Sequence, residues 1–187
     1  MEAFLDIELR PDPEFPPHLL LSTLYGKLHL TLVPNNSAGI AVCFPGYQIK
    51  PPSLGTSMRL LGSRAALQAL TITSWLSGMR DHVKVGELDL VPADATHRML
   101  RRVQAQSNPE RIRRRLMKRH GLDQTQARLR IPDSAAEMLK LPFVQLRSRS
   151  NGGAFRLFLS LTAKELTPTL GEFNAYGLSQ NATIPWF

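Results

Sequence analysis

The stretch from Thr96 to Arg119, THRMLRRVQAQSNPERIRRRLMKR, constrains this chain more than any other. Between Ala95 and Arg130 stand eleven Lys/Arg against only Glu110 and Asp123, a local charge of +9. The whole chain carries +8, so everything outside this segment sums to about neutral and the basic character is a local device. A positive field this concentrated is the footprint of a polyanion partner, most often nucleic acid.

The charges fall on a helix. Asn108-Pro109 reads as a helix start with Pro at the first position, and Ser107-x-x-Glu110 offers a competing capping box one residue earlier; Gly121 ends the helix in either case. At 100° per residue, Arg114, Lys118, Arg111, Arg115 and Arg119 lie within an arc of about 140°, with Ile112 and Leu116 together beside it. One side can dock on the protein while the other forms a continuous cationic blade. An ordinary solvated face would carry interleaved acids for i,i+4 support, and after Glu110 the helix has none. Mutual repulsion of five like charges favours a phosphate-binding face.

Read as a strand, Thr96 to Gln106 points Arg102 and Gln104 to the same side. Arginine pairs bidentately with guanine and glutamine with adenine, so the strand could read neighbouring bases while the helix holds the backbone. An Arg-x-Gln pair alone is equally an ordinary polar strand face.

At 187 residues the chain suits two small domains. No apolar run approaches the roughly 18 residues a membrane span needs, and MEAFLDIELR is acidic, unlike a signal peptide. The single cysteine, Cys43 between Val42 and Phe44, excludes an internal disulfide, reads as a buried strand thiol and fits the reducing cytoplasm.

Before the basic segment, the patterning gives an alternating strand Ala3 to Leu9, a helix Pro17 to Val33 with Leu21, Leu24, Leu28 and Leu32 on one face, strands Gly39 to Phe44 and Thr56 to Leu61, a helix capped by Ser63, and a strand His82 to Val91. That order, βαββαβ, is the ferredoxin-like arrangement that also underlies the RNA-recognition fold. Pro92-Ala93-Asp94 is the expected boundary, giving domains 1–94 and 95–187 in an α+β protein whose smaller second domain carries the arginine-rich helix 108–120. Beyond that helix, Asp123-x-x-Gln126 and Ser134-x-x-Glu137 start two short helices, Phe143 to Arg147 and Ala154 to Leu161 form a hairpin, and Phe173 to Tyr176 is a last short strand.

The five histidines show no paired ligand spacing, and there is neither a CxxC nor a phosphate loop, so the expected chemistry is acid-base work without metal or other cofactor. His29 suits it best, because imidazole exchanges protons near neutrality. A boundary histidine that merely packs is the competing reading.

RVQAQSNPERIRRRLMKRH from Arg102 to His120, LPFVQLRSRSNGGAFRLF from Leu141 to Phe158, YGLS from Tyr176 to Ser179 and the closing PWF together resemble the CRISPR repeat-RNA endoribonucleases of the type I-F (Csy) systems; LDIELRPDPEFPP and the YGKLH ending at His29 match as well. The resemblance implies a ferredoxin-like N-terminal domain and a C-terminal domain that grips the hairpin of a CRISPR repeat. It gives the major groove to the blade of Arg111, Arg114, Arg115, Lys118 and Arg119, with His120 at its end. Lys118 stands where the family has arginine, keeping the charge without the bidentate fork. Arg102 and Gln104 read guanine and adenine at the stem base, and Phe155 stacks on the terminal base pair. His29 is the general base on the ribose 2′-OH beside the scissile phosphate, Ser148 fixes that ribose with Ser150 beside it, and Tyr176 orients the imidazole. The products are a 2′,3′-cyclic phosphate and a 5′-OH. The implied partners are the repeat hairpin and the other type I-F effector subunits, with a monomer when free. A catalytically silent RNA-hairpin-binding protein is the alternative.

Overall fold

The computed structural model describes residues 1–34, 39–104, 109–132, 139–148 and 152–187, without the side chains of Pro109 and Arg111. Two compact units result, Met1–Val103 with Leu141–Phe187, and Gln104–Lys140.

In the first unit, β1 (Ala3–Leu9) leads into α1 (Pro17–Leu32), followed by β2 (Ala41–Cys43), β3 (Ser57–Gly62), α2 (Arg64–Ile72), a 3-10 turn at Arg80–His82 and β4 (Val83–Leu90). The first four strands form one antiparallel sheet in the order β2-β3-β1-β4. The register sets Leu5 opposite Leu60 and Ile7 opposite Met58, and these are buried with the leucines of α1 and α2. α1 has no side-chain cap and no acid in its first turn. Its stability comes from burying Leu20, Leu21, Leu24, Leu28 and Leu32, each worth about 1.5–3 kcal/mol. Ser63 caps α2 by accepting from Ala66 N, as its sequence position indicates.

The alternate residues of β1 and β3 build the other face. Arg59 Nε donates to Asp6 Oδ1 at 2.7 Å and Nη2 to Oδ2 at 2.8 Å, while Nη1 donates to the Phe187 carbonyl at 3.0 Å. Its guanidinium lies 3.9 Å from the Phe187 ring centroid and 4.8 Å from that of Phe4. Cys43 is buried beside this group, and burial pushes its thiol up to about 12, so it stays protonated at neutral pH.

The basic strand expected from Thr96 to Gln106 is two short ones with different partners. β5 (Thr96–Arg98) pairs with a strand near the end of the chain, and β6 (Leu100–Val103) joins a separate three-stranded sheet. The ladder stops before Gln104, so the alternation that would align Gln104 with Arg102 does not extend that far.

In the second unit, α3 (Pro109–His120) ends at Gly121, whose φ of +64° and N–H to the Met117 carbonyl make the left-handed close that glycine favours. α4 (Gln124–Arg130) starts with the expected capping box of Asp123 and Gln126. The competing caps at Ser107 and Asn108 and the expected helix at Ser134 to Glu137 lie outside the described residues.

The chain then returns to the first unit with β7 (Phe143–Arg147) and β8 (Ala154–Leu161), a hairpin to which β6 adds in the order β6-β8-β7, and ends with β9 (Ile184–Trp186) on β5. The protein is α+β, its sheets antiparallel. Among the described residues no helix is long and apolar enough to cross a membrane.

Replacing Arg59 by alanine strands the Asp6 carboxylate and frees the Phe187 ring. Because Asp6 is 29% exposed, the expected loss is about 2 kcal/mol rather than the 3–5 typical of a fully buried pair. Urea unfolding of Arg59→Ala measures it, and an unchanged midpoint would show that the cluster contributes nothing to stability.

Candidate active site and nucleic-acid interface

His29 stands in the last turn of α1, half-buried, one residue past the buried Leu28. Its Nδ1 lies 2.9 Å from the Ala175 carbonyl. A carbonyl only accepts, so Nδ1 carries the proton and, in the neutral ring, Nε2 presents its lone pair. The imidazole also stacks on Tyr176, centroids 3.8 Å apart and planes 7° from parallel. His29 is therefore more than a packed boundary residue: a backbone carbonyl selects its tautomer and an aromatic ring fixes its plane.

Both contacts come from one turn. The expected strand Phe173 to Tyr176 is instead a hydrogen-bonded turn, because Asn174 satisfies its backbone locally. Asn174 Oδ1 accepts from Tyr176 N at 2.8 Å and from Leu178 N at 3.4 Å, while the Asn174 carbonyl accepts from Gly177 N at 2.8 Å. Gly177 has φ +66°, and a Cβ there would sit 2.6 Å from Val42 Cγ2. Its carbonyl accepts from Val42 N, tying the turn to β2. From beneath, the Tyr25 hydroxyl donates to the Tyr176 carbonyl at 2.8 Å. Burial pushes the Tyr25 phenol far up, the neighbouring Tyr176 adding and Arg102 opposing, so it remains a donor at any working pH.

The other side of α1 faces β7. Ser22 Oγ accepts from Gln145 N at 3.0 Å, and one turn later Gly26 lies against Leu146. Ser148 is half-buried where the hairpin turns, with its N–H on the Gly153 carbonyl. Ser150 lies outside the described residues. Phe155, opposite Leu146 on the inner face of the hairpin, is half-buried, and the Arg102 guanidinium lies 5.9 Å from its ring centroid. Arg102 Nε is buried with no hydrogen-bond partner, a donor whose desolvation is uncompensated within the described residues.

Within the second unit, Arg114, Arg115, Lys118, Arg119 and His120 are exposed along α3, as the arc requires. Arg113 differs: it is 5% exposed, and its Nε donates to the Ile131 carbonyl at 2.7 Å, holding α3 to the end of α4. The Arg111 side chain lies outside the described residues, and Gln104 is exposed.

The family model described as CRISPR-associated protein (Cas_Csy4) matches residues 4–187. The CRISPR-associated endonuclease Cas6/Csy4 of Pseudomonas aeruginosa (strain UCBPP-PA14) is 49% identical over 187 residues, all of both chains. The protein of the same name from Escherichia coli (strain UTI89 / UPEC) is 38% identical over the same full length. The chain belongs to the Csy4 family of CRISPR-associated proteins.

In this Csy4-family chain, sequence reasoning missed Tyr25, Asn174 and the Ala175 carbonyl. Asn174-x-x-Gly177 is a turn signal that could have found the loop, whereas a backbone carbonyl has no residue signature at all.

In the Gly177→Ala variant the αL strain, about 1–3 kcal/mol, and the clash with Val42 should loosen the turn. Long-range ¹H–¹⁵N spectra of the neutral His29 ring should show the Nδ1–H form in the parent and a mixture in the variant. A parent ring carrying its proton on Nε2 would refute selection of the tautomer by Ala175.

Proposed function

We propose that this chain is a metal-independent endoribonuclease that cuts CRISPR repeat hairpins in precursor RNA and retains the mature product as part of a type I-F effector complex. The observation that carries the reading is the His29 ring, with Nδ1 on the Ala175 carbonyl and its face on Tyr176, because it leaves Nε2 as a positioned proton acceptor. The family supports it, and so do the relatives named endonucleases. The βαββαβ order with strands β2-β3-β1-β4 supports a ferredoxin-like domain over 1–94, and α3 supports an RNA-binding role for 95–187.

In this mechanism His29 Nε2 removes the proton from the ribose 2′-OH, with Ser148, beside Ser150, holding that ribose. The 2′-oxygen attacks phosphorus in line, the bond to the 5′-oxygen breaks, and the departing oxygen is protonated. The products are a 2′,3′-cyclic phosphate and a 5′-OH. Arg102 and Gln104 read the stem base, guanine through the bidentate fork of the Arg102 guanidinium and adenine through the Gln104 amide. Phe155 stacks on the terminal base pair, a contact worth about 1–3 kcal/mol. Arg111, Arg114, Arg115, Lys118, Arg119 and His120 hold the backbone.

Incubation in excess EDTA with a repeat hairpin, and with its twin bearing a 2′-deoxy nucleotide at the cut, tests the chemistry. Only the first should be cleaved, ending in a cyclic phosphate, and His29→Ala should abolish cleavage while hairpin affinity stays within about threefold, since most affinity comes from phosphate contacts. Tight binding of several cognate repeats without cleavage of any would favour a silent RNA-binding protein.

The two basic elements separate by salt. Neutralising Arg115 should weaken all hairpins and flatten the salt slope by about one unit. Arg102→Ala should cost about 1–3 kcal/mol, mainly on hairpins with the preferred stem-base pair. Equal losses on every sequence would remove base reading by Arg102.

A further inference from the structure

The two faces of the β6-β8-β7 sheet differ in what they offer. The inner face buries Val144, Leu146, Leu157 and Leu159 in the core and also carries Arg102 and Phe155. The outer face has no part in the site above. Its register sets Gln145 opposite Arg156 and Arg101 opposite Ser160, so Arg101, Arg147, Arg156, Gln145 and Phe143 share it, and all five are exposed. The three strands contain no acid and no lysine. The ion pairs among the described residues are Arg59 with Asp6 and His82 with Asp12, so none of these three arginines faces a carboxylate there. Arg147 and Arg156 sit on the diagonal of the hairpin, about 7–8 Å apart at the backbone, inside the roughly 8 Å Debye length of physiological salt. Uncompensated, they repel. The Arg156 guanidinium lies 4.7 Å from the ring centroid of Phe143, which is braced on the buried Phe158.

We propose that this face docks an acidic segment of another protein subunit, so that the chain is held in its effector complex by a protein contact as well as by its RNA. The proposal rests on the reading of the chain as an effector subunit. Composition favours a protein, because arginine and aromatic residues are enriched in protein interfaces while lysine and the acids are depleted. Arginine is also among the residues that dominate interface energies. Charge selects the chemistry of the occupant. Guanidinium groups without partners take carboxylates through paired N–H donors, and an acidic segment relieves their mutual repulsion. The strand geometry keeps this contact clear of the RNA. Successive side chains point to opposite faces, so Arg102 and Phe155 turned to the stem leave their neighbours Arg101 and Arg156 directed away from it. A chain that keeps its product while joining a complex needs such a face.

The test sets the parent against Arg101→Gln/Arg156→Gln, which leaves Arg147 beside Ser148 untouched. Equal amounts of the two full chains, one labelled with ¹⁵N, compete for limiting CRISPR RNA that ends in the repeat hairpin. The RNA is offered free in one arm and held by the other effector subunits in the second, and mass spectrometry of the bound fraction gives the ratio of the two chains. On free RNA they should bind equally, which also shows that the variant is folded. On the assembled complex the parent should lead about tenfold, the scale of losing interface arginines, and the lead should shrink as salt is raised. Equal binding in both arms overturns the proposal. So does a parent lead on free RNA, which would make the face an RNA surface, and so does a lead that salt leaves unchanged, which would rule out an acidic partner. Failure of both chains to bind the free RNA would refute the hairpin reading itself, in an arm that contains no other subunit.

Discussion

The burial of α1 is the constraint on which the first unit depends. The helix has a weak start, with no side-chain cap and no acid to complement its dipole, and is held by leucines rather than by its own ends. Those leucines pack toward the four-stranded sheet, while Ser22 and Gly26 admit β7 of the hairpin on another side. One helix therefore packs against both sheets and carries His29 in its last turn. Leu28 and Leu32, buried before and after His29, anchor this last turn of the helix in the core.

A second device acts on the imidazole itself. The turn from Asn174 to Leu178 closes on its own side chain, is tied to β2 through Val42 and is braced from the core by the Tyr25 hydroxyl. It delivers one acceptor and one ring face to the imidazole. A carbonyl suits the acceptor role because it selects the tautomer without adding a charge that would compete for the proton. Tyr25 stays a donor because burial in the core pushes its phenol far up.

The second unit divides its charges by role. Arg113 is spent on the Ile131 carbonyl and is buried, whereas Arg114, Arg115, Lys118 and Arg119 stay in solvent. A run of consecutive arginines necessarily points in several directions around a helix, and the one directed inward keeps its charge only where its N–H groups meet acceptors. Arg113 still adds its charge to the local field, but only the exposed side chains are open to direct contact with a polyanion.

Much of this was legible in the sequence. The alternation of Leu5, Ile7 and Leu9, the leucine stripe of α1, the Ser63 and Asp123 caps and the hairpin boundaries are local patterns, and each element formed where its pattern lay. The local reading failed where non-local pairing took over. The segment from Thr96 splits because β9 claims its first part and β8 its second, and Phe173 to Tyr176 is a turn because Asn174 competes for the backbone. The residue types that acid-base chemistry and phosphate binding would use were determined by the sequence alone, since periodicity and charge are properties of neighbouring residues. Only the tertiary structure decided which nitrogen of His29 is free and that a carbonyl 146 residues away selects it, because a backbone group acquires a role only when folding brings it to a partner.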